Sequence, residues 1–233
     1  MLSDNRVVSV RQPGEHLVEI GTGWGGLAVH AAQHFGARVT TTTISVEQHR
    51  HATELVARLG LQEQVTVLLE DYRDLTGTYD KLVSVEMIEA VDWRDHDTFF
   101  ATCNRLLKPE GRMAMQAITV ADRRFARVRN SEDFVKRHIF PGSCIPSVES
   151  ILSSTARTGD FWLTQLDEFP QHYAETLHRW ALNKGRGGQA YYLPGGQRWL
   201  DPVQRHRGHG RVRHLNGGLA AWLAHGLPVT GGI

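Results

Sequence analysis

The sequence predicts an α/β fold, a mainly parallel sheet with helices on both faces. Two observations carry this. Short apolar runs rich in valine, leucine, isoleucine and threonine alternate with longer stretches of helical periodicity. A glycine-rich turn, EIGTGWGG over residues 19–26, closes the first apolar run and opens the first helical stretch. At 233 residues and 41% apolar, the chain has room for one sizeable core.

Taken in order, residues 16–21 (HLVEIG) read as a buried strand and WGGLAVHAAQHF as the helix after it. ARVTTTTI (37–44) is a second strand, and SVEQHRHATELVARLG a helix capped by Ser45 and closed by Gly60. VTVLLED (65–71), KLVSVEM (81–87) and RMAMQAIT (112–119) supply three more strands, with a helix over about 95–107 between the last two. FWLTQLDEF (161–169) is expected to be a further strand, followed by a short helix, QHYAETLHRW. Between 120 and 150 the pattern breaks into a basic segment with scattered aromatics, expected to be an insertion over the open end of the sheet.

A net charge of +1 with 22% charged residues describes an ordinary soluble globular chain. Two cysteines, Cys103 and Cys144, are too few for a disulfide framework and fit no zinc spacing, so no metal site and a reducing cytoplasm are expected. The first residues contain no apolar signal core, and no window reaches the roughly 18 apolar residues of a membrane span. Any lipid is expected to be met from the water side, as a peripheral contact at the inner membrane face. After Lys184 periodicity ends: 12 of the 23 glycines fall in 185–233, among arginine and histidine. The division expected is a domain over 1–184 and a loosely ordered tail over 185–233, for which nucleic-acid binding is not expected.

Gly21, Gly23 and Gly25 sit where the backbone must turn tightly and can bring its amides against a ligand. The pattern by itself fits a nicotinamide dinucleotide, a flavin, S-adenosylmethionine or a purely structural turn. A pyrophosphate site calls for G-x-G-x-x-G and an acid near the end of the second strand. That strand ends here in Thr40 to Thr43, which argues against a dinucleotide. A second signal is SVEMIEAVDW (84–93), which puts Glu86 and Glu89 into an otherwise apolar run. Ionised carboxylates leave water at high cost unless paired, so these two either turn back to solvent or serve chemistry.

Six segments then carry a resemblance. LVEIGTGWGGLAVHAA, VTTTTISVEQ, VLLEDYRDLTGTYDKLVSVEMIEAV, LLKPEGRMAMQAIT, HIFPGSCIPS and QHYAETLHRW resemble, in that order, the cyclopropane-fatty-acyl-phospholipid synthase family, including the mycolic acid cyclopropane synthases. The resemblance implies the Rossmann-like class I methyltransferase fold, S-adenosylmethionine as cofactor, and methyl or methylene transfer to the cis double bond of an unsaturated phospholipid acyl chain.

It also implies roles for residues. The loop of Glu19, Gly21, Gly23 and Gly25 would approach the methionine part of the cofactor, while Thr43, Ile44 and Gln48 match the family's T-[LI]-S-x-x-Q segment beside ribose and adenine. Asp71 would accept from the adenine amino group and Tyr72 would stack beside it, although plain core packing is an open reading for Ile44 and Tyr72. Methyl transfer to an alkene leaves a cationic carbon that must lose a proton if a ring is to close. In the family a bound bicarbonate takes it. Glu89, the backbone at Ile118 and Tyr173 match the residues that hold this anion, and Gln116 stands at the place of the family's histidine, able to donate and accept but not to carry charge. Glu86 is the weaker candidate.

Three departures from the family are expected. Residues 1–15 contain no lid segment of the Y-S-C-A-Y-F type, so the N-terminal lid is expected to be missing, and after Lys184 the usual last strand is expected to be missing or altered. In its place, residues 211–232 resemble the last strand and helix of a rhodanese domain, without a cysteine for sulfur transfer. Arg123, Arg124, Arg127, Arg129, Lys136 and Arg137 on the insertion are expected to attract anionic headgroups, against the alternative of a merely solvated face. Two other functions stay open: a noncatalytic cofactor-binding remnant, and methyl transfer to a small soluble acceptor.

Overall fold

The computed structural model describes residues 14–132, 136–137 and 140–168. The elements are β1 (His16–Ile20), α1 (Gly26–Phe35), β2 (Arg38–Thr43), α2 (Val46–Arg58), β3 (Val65–Leu69), β4 (Tyr79–Val85), α3 (His96–Leu106), β5 (Leu107–Gln116), α4 (Asp122–Asn130) and α5 (Val148–Thr158). The strands form one sheet in the order β3-β2-β1-β4-β5, and every neighbouring pair is parallel. The fold class expected from the sequence is therefore the one found.

Side chains alternate across a strand, so β1 feeds two cores. Leu17 packs with Val39, Val83 and the small face of α1 (Ala28, Ala31, Ala32), whereas Val18 and Ile20 pack with Leu82, Phe99, Phe100 and Leu106 on the other side. The buried threonines of β2 are tolerated because their hydroxyls are bonded. Thr40 Oγ1 lies 2.9 Å from His16 Nε2, and Thr42 donates to the Glu70 carbonyl at 2.5 Å. Ser45 caps α2 as expected, accepting from the Gln48 amide at 3.3 Å.

Several expectations need correction. β5 begins at Leu107 and stops at Gln116, not 112–119, because the chain then leaves the sheet to bring the Ile118 amide to Glu89. No strand forms over 161–168: these residues find no partner strand among the described residues, and Phe161 instead packs edge-on against Phe100 at 6.4 Å. α5 was not expected at all. Within 120–150 the chain forms α4 and later comes back beside Val120, whose amide donates to the Pro146 carbonyl at 2.9 Å in an isolated bridge outside the sheet. The expected helix QHYAETLHRW, Tyr173, the tail over 185–233 and its rhodanese-like stretch lie outside the described residues. Among the described residues no helix is long and apolar enough to cross a membrane.

Candidate active site

From β1 the chain moves outward to β2 and β3, then crosses back to lay β4 against the other side of β1. At such a reversal the loops leaving two adjacent strands part, and ligands of open α/β sheets bind in the crevice at their carboxyl ends. Here those loops are the glycine turn after β1 and the Glu86–Glu89 segment after β4, and they touch: a Cβ on Gly21 would lie 3.1 Å from Met87 Cγ. Gly21, Gly23 and Gly25 all have positive φ, at 101°, 51° and 84°. Gly25 is confined by Ala52, whose Cβ would be 3.2 Å away, but nothing lies within 4 Å of the position a Cβ would take on Gly23. Packing fixes two of the glycines and leaves the third open to a ligand.

Glu19 lies under this turn and is only 3% exposed. Thr41 donates to its Oε2 at 2.6 Å, and the Thr41 and Thr22 hydroxyls are 2.7 Å apart. Burial outweighs that hydrogen bond and pushes the carboxyl up to about 8. Trp24, within the turn, was not singled out by the sequence reading; its indole Nε1 is buried without an acceptor, and its ring meets His51 edge-on at 5.1 Å.

At the end of β2, the Thr43 hydroxyl donates to Gln48 Oε1 at 2.7 Å and accepts from the Ser45 amide at 3.1 Å, which ties the T-I-S-x-x-Q segment together. Ile44 is 77% exposed, so core packing does not account for it. Tyr72 differs. It is half-buried against Phe99, ring centroids 5.5 Å apart, and burial pushes its phenol up to about 12. Asp71 caps the short turn Tyr72–Asp74 and grips Arg73 through both oxygens, at 2.9 and 2.7 Å, which lowers its pKa. An adenine amino group would have to share that carboxylate with Arg73.

The acids after β4 come together with the residues after β5. Gln116 Nε2 donates to Glu86 Oε1 at 3.0 Å, and the Ile118 amide donates to Glu89 Oε1. The second oxygen of each acid is buried and has no hydrogen-bond partner. Burial raises Glu89 to about 7, opposed by the Ile118 amide and by its own backbone, and assisted by the charge of Glu86. Cys144, from the HIFPGSCIPS stretch, also reaches this site: its amide donates to the Glu89 carbonyl at 3.1 Å. Of the catalytic residues expected from sequence, Glu89, Gln116 and Ile118 are thus neighbours; Tyr173 lies outside the described residues.

S-adenosylmethionine fits the described residues: the space above Gly23 is open, Ile44 offers an exposed apolar surface, and carboxyls at the crevice suit a cationic sulfonium. The bicarbonate ion that the resemblance implies would be held in part by Tyr173, outside these residues. The two donors that reach the carboxyls, Gln116 Nε2 and the Ile118 amide, are taken up by Glu86 and Glu89, and an added anion would meet a second acid.

A parallel sheet in this order, with a glycine turn after its first strand, is an arrangement found in the class I S-adenosylmethionine-dependent methyltransferase fold. Residues 7–186 match the mycolic acid cyclopropane synthetase family, and the chain belongs to it. It is 42% identical over 169 residues to the tuberculostearic acid methyltransferase of Mycobacterium tuberculosis, covering 72% of this chain and 39% of that protein. It is 37% identical over 169 residues to the cyclopropane-fatty-acyl-phospholipid synthase of Escherichia coli strain K12, covering 72% of this chain and 42% of that one. The chain thus spans about two fifths of the length of these curated relatives. Among solved structures, mycolic acid cyclopropane synthase CmaA1 complexed with SAH and CTAB aligns with a TM-score of 0.67 at 29% identity, covering 76% of this chain and 65% of that one. The cyclopropane synthase MmaA2 of Mycobacterium tuberculosis aligns with a TM-score of 0.66 at 26% identity, covering 75% and 64%.

Proposed function

We propose that this protein transfers a methyl or methylene group from S-adenosylmethionine to the cis double bond of an unsaturated phospholipid acyl chain. The observation that carries this is Glu89: a carboxyl with one oxygen held by the Ile118 amide and the other buried without a hydrogen-bond partner, two residues after Met87, which packs beside Gly21 of the glycine turn. When bound, the cofactor supplies an electrophilic methyl on a sulfonium and departs as the thioether. The turn of Gly21, Gly23 and Gly25 would admit its methionine part, with Glu19 beneath, and Thr43, Ile44, Gln48, Asp71 and Tyr72 would flank its nucleoside. A π bond is a weak nucleophile, so the site must hold it in line with the methyl and exclude water. Glu89 would stand by to accept a proton from the cationic carbon. Bicarbonate, which the resemblance implies, has no step here.

In this proposal residues 1–184 form the methyltransferase domain, and 120–150 cover its lipid side; the bonds of Val120 to Pro146 and of Cys144 to Glu89 support that placement. The basic surface of the insertion would meet anionic headgroups with fewer charges than its composition suggests. Lys136 donates to the Val128 and Ser131 carbonyls at 2.6 and 3.0 Å, whereas Arg123, Arg124, Arg127, Arg129 and Arg137 are exposed, Arg129 also stacking over Trp93 at 4.9 Å. The test is transfer of label from S-adenosylmethionine into vesicles of unsaturated and of saturated phospholipid. Label is expected in the unsaturated lipid alone. Label in neither lipid would refute the proposal.

A further inference from the structure

The segments that leave β4 and β5 meet again beyond the acids. Arg129 of α4 lies over the ring of Trp93, its guanidinium carbon 4.9 Å from that ring centroid and 6.0 Å from the centroid of Phe125. Arg94 lies over the same indole at 5.7 Å. Two guanidinium groups thus share one ring on segments that leave the carboxyl end of the sheet, the end at which ligands of open α/β folds enter. Trp93 follows Glu89 by four residues, which bounds the separation of their Cα atoms at about 14 Å. Stacking restrains a guanidinium while leaving its N–H donors free in the plane, the geometry that grips a phosphate through two hydrogen bonds. Arg94 is 73% exposed and lies 3.5 Å from Asp92, whereas no carboxylate among the described residues pairs with Arg129. The Lys136 ammonium, held by the Val128 and Ser131 carbonyls, adds positive charge at the same end of α4. Like charges brought together repel, and an anion seated between them turns the repulsion into attraction. Arg123, Arg124 and Arg127 are exposed too, but stack on no ring among the described residues.

We infer that Arg94 and Arg129, braced on Trp93, seat the phosphate of the phospholipid whose acyl chain enters the crevice. The inference rests on the transfer proposed above and assigns the headgroup end of its substrate. A phosphodiester offers two unesterified oxygens and one negative charge, which suits guanidinium forks better than it suits a diffuse patch of charge. With the phosphate held at the rim, the acyl chain runs inward from a fixed point, and the depth reached by its double bond is measured from there. Ordering Arg129 on Trp93 in advance reduces the side-chain freedom lost when the lipid binds. The site reads the phosphate and not the group esterified beyond it. Zwitterionic and anionic phospholipids are therefore both accepted, whereas a diacylglycerol with the same chains has nothing for the arginines to hold.

Two measurements test it. The first needs no chemistry: dihexanoyl phosphatidylglycerol, saturated and kept below its micelle concentration, is titrated into the full chain by calorimetry. Arg129→Gln should weaken binding about 10-fold, the scale of a hydrogen bond to a charged group, with the urea midpoint unchanged. Arg129→Lys should weaken it nearly as much, because an ammonium keeps the charge and loses the fork. Trp93→Leu, which keeps both arginines and removes their brace, should act in the same direction. An Arg129→Lys protein that binds as tightly as wild type would mean diffuse charge, and it overturns the inference. So does displacement of the lipid by inorganic phosphate at the same concentration, which would mark a site for the free anion. The second measurement is methyl transfer from labelled S-adenosylmethionine into unsaturated phosphatidylglycerol and into the diacylglycerol with the same chains, both in uncharged detergent micelles. Arg129→Gln should raise KM about 10-fold for the phospholipid with kcat unchanged, and should leave KM for the diacylglycerol as it is. Equal effects on the two lipids overturn the inference, whereas binding that depends on Arg129 in a protein that methylates neither lipid refutes the transfer and not the phosphate site.

Discussion

Glu19 shows how far a single side chain is set by its neighbours here. Its carboxyl is pushed up to about 8 from an ordinary value of 4.5 by burial, with only the Thr41 hydroxyl in opposition. An acid whose folded pKa is raised binds its proton more tightly in the native state. Its contribution to stability is therefore full below about 4.5, declines as pH rises between the two values, and levels off above about 8. The slope for one group approaches about 1.4 kcal/mol per pH unit. Urea unfolding followed between about pH 5 and 8 should show this decline in the wild type, and Glu19→Gln should remove its share, leaving the decline from Glu89, which burial raises to about 7. A slope unchanged by the substitution would show that Glu19 is ionised in the fold. His96 acts in the other direction: it is 1% exposed and its pKa is lowered by burial, so stability falls as pH drops below its ordinary 6.5, and Glu19→Gln should leave that limb in place.

At the scale of elements, α5 is the instructive case. Its start is a reciprocal cap: the Ser147 hydroxyl accepts from the Ser150 amide at 3.2 Å and the Ser150 hydroxyl from the Ser147 amide at 2.9 Å. Ile151 reaches the core shared with α3, and Arg157 forms a bidentate pair with Asp97 at 2.9 and 2.7 Å. That ion pair is 57% and 44% exposed, so it contributes less than about 1 kcal/mol. Ser147 is 1% exposed, and losing its cap costs about 1 kcal/mol by the usual scale. Ser147→Ala should therefore lower the urea midpoint more than Arg157→Ala, and the reverse order would mean that the ion pair holds α5 in place. The sequence did not disclose this helix because SVESILSSTART has few apolar residues at helical spacing, and serine and threonine favour caps and turns as readily as helix interiors. The signal was present in Ser147 and Ser150, three apart.

For the whole molecule, the five strands were legible because parallel strands buried on both faces read as apolar runs. Their order β3-β2-β1-β4-β5 was not written in any one run and emerges only in the folded sheet. The glycine turn and Glu89 were legible as types of residue. What sequence could not supply was the pairing of Gln116 with Glu86, and of Ile118 with Glu89, because it depends on the turn at Glu86 with φ 48°. Ile44 and Tyr72 looked alike on paper, yet one is 77% exposed and the other packs on Phe99. In the proposed function, cofactor recognition falls after β1 and β2 and proton chemistry after β4 and β5, which makes the two functions separable. The direct test is Glu89→Gln, assayed for S-adenosylmethionine binding by calorimetry and, in the same samples, for transfer of label into unsaturated phospholipid. The account predicts unchanged cofactor affinity and transfer slower by about 100-fold or more; a variant that transfers methyl groups as fast as the wild type would contradict it.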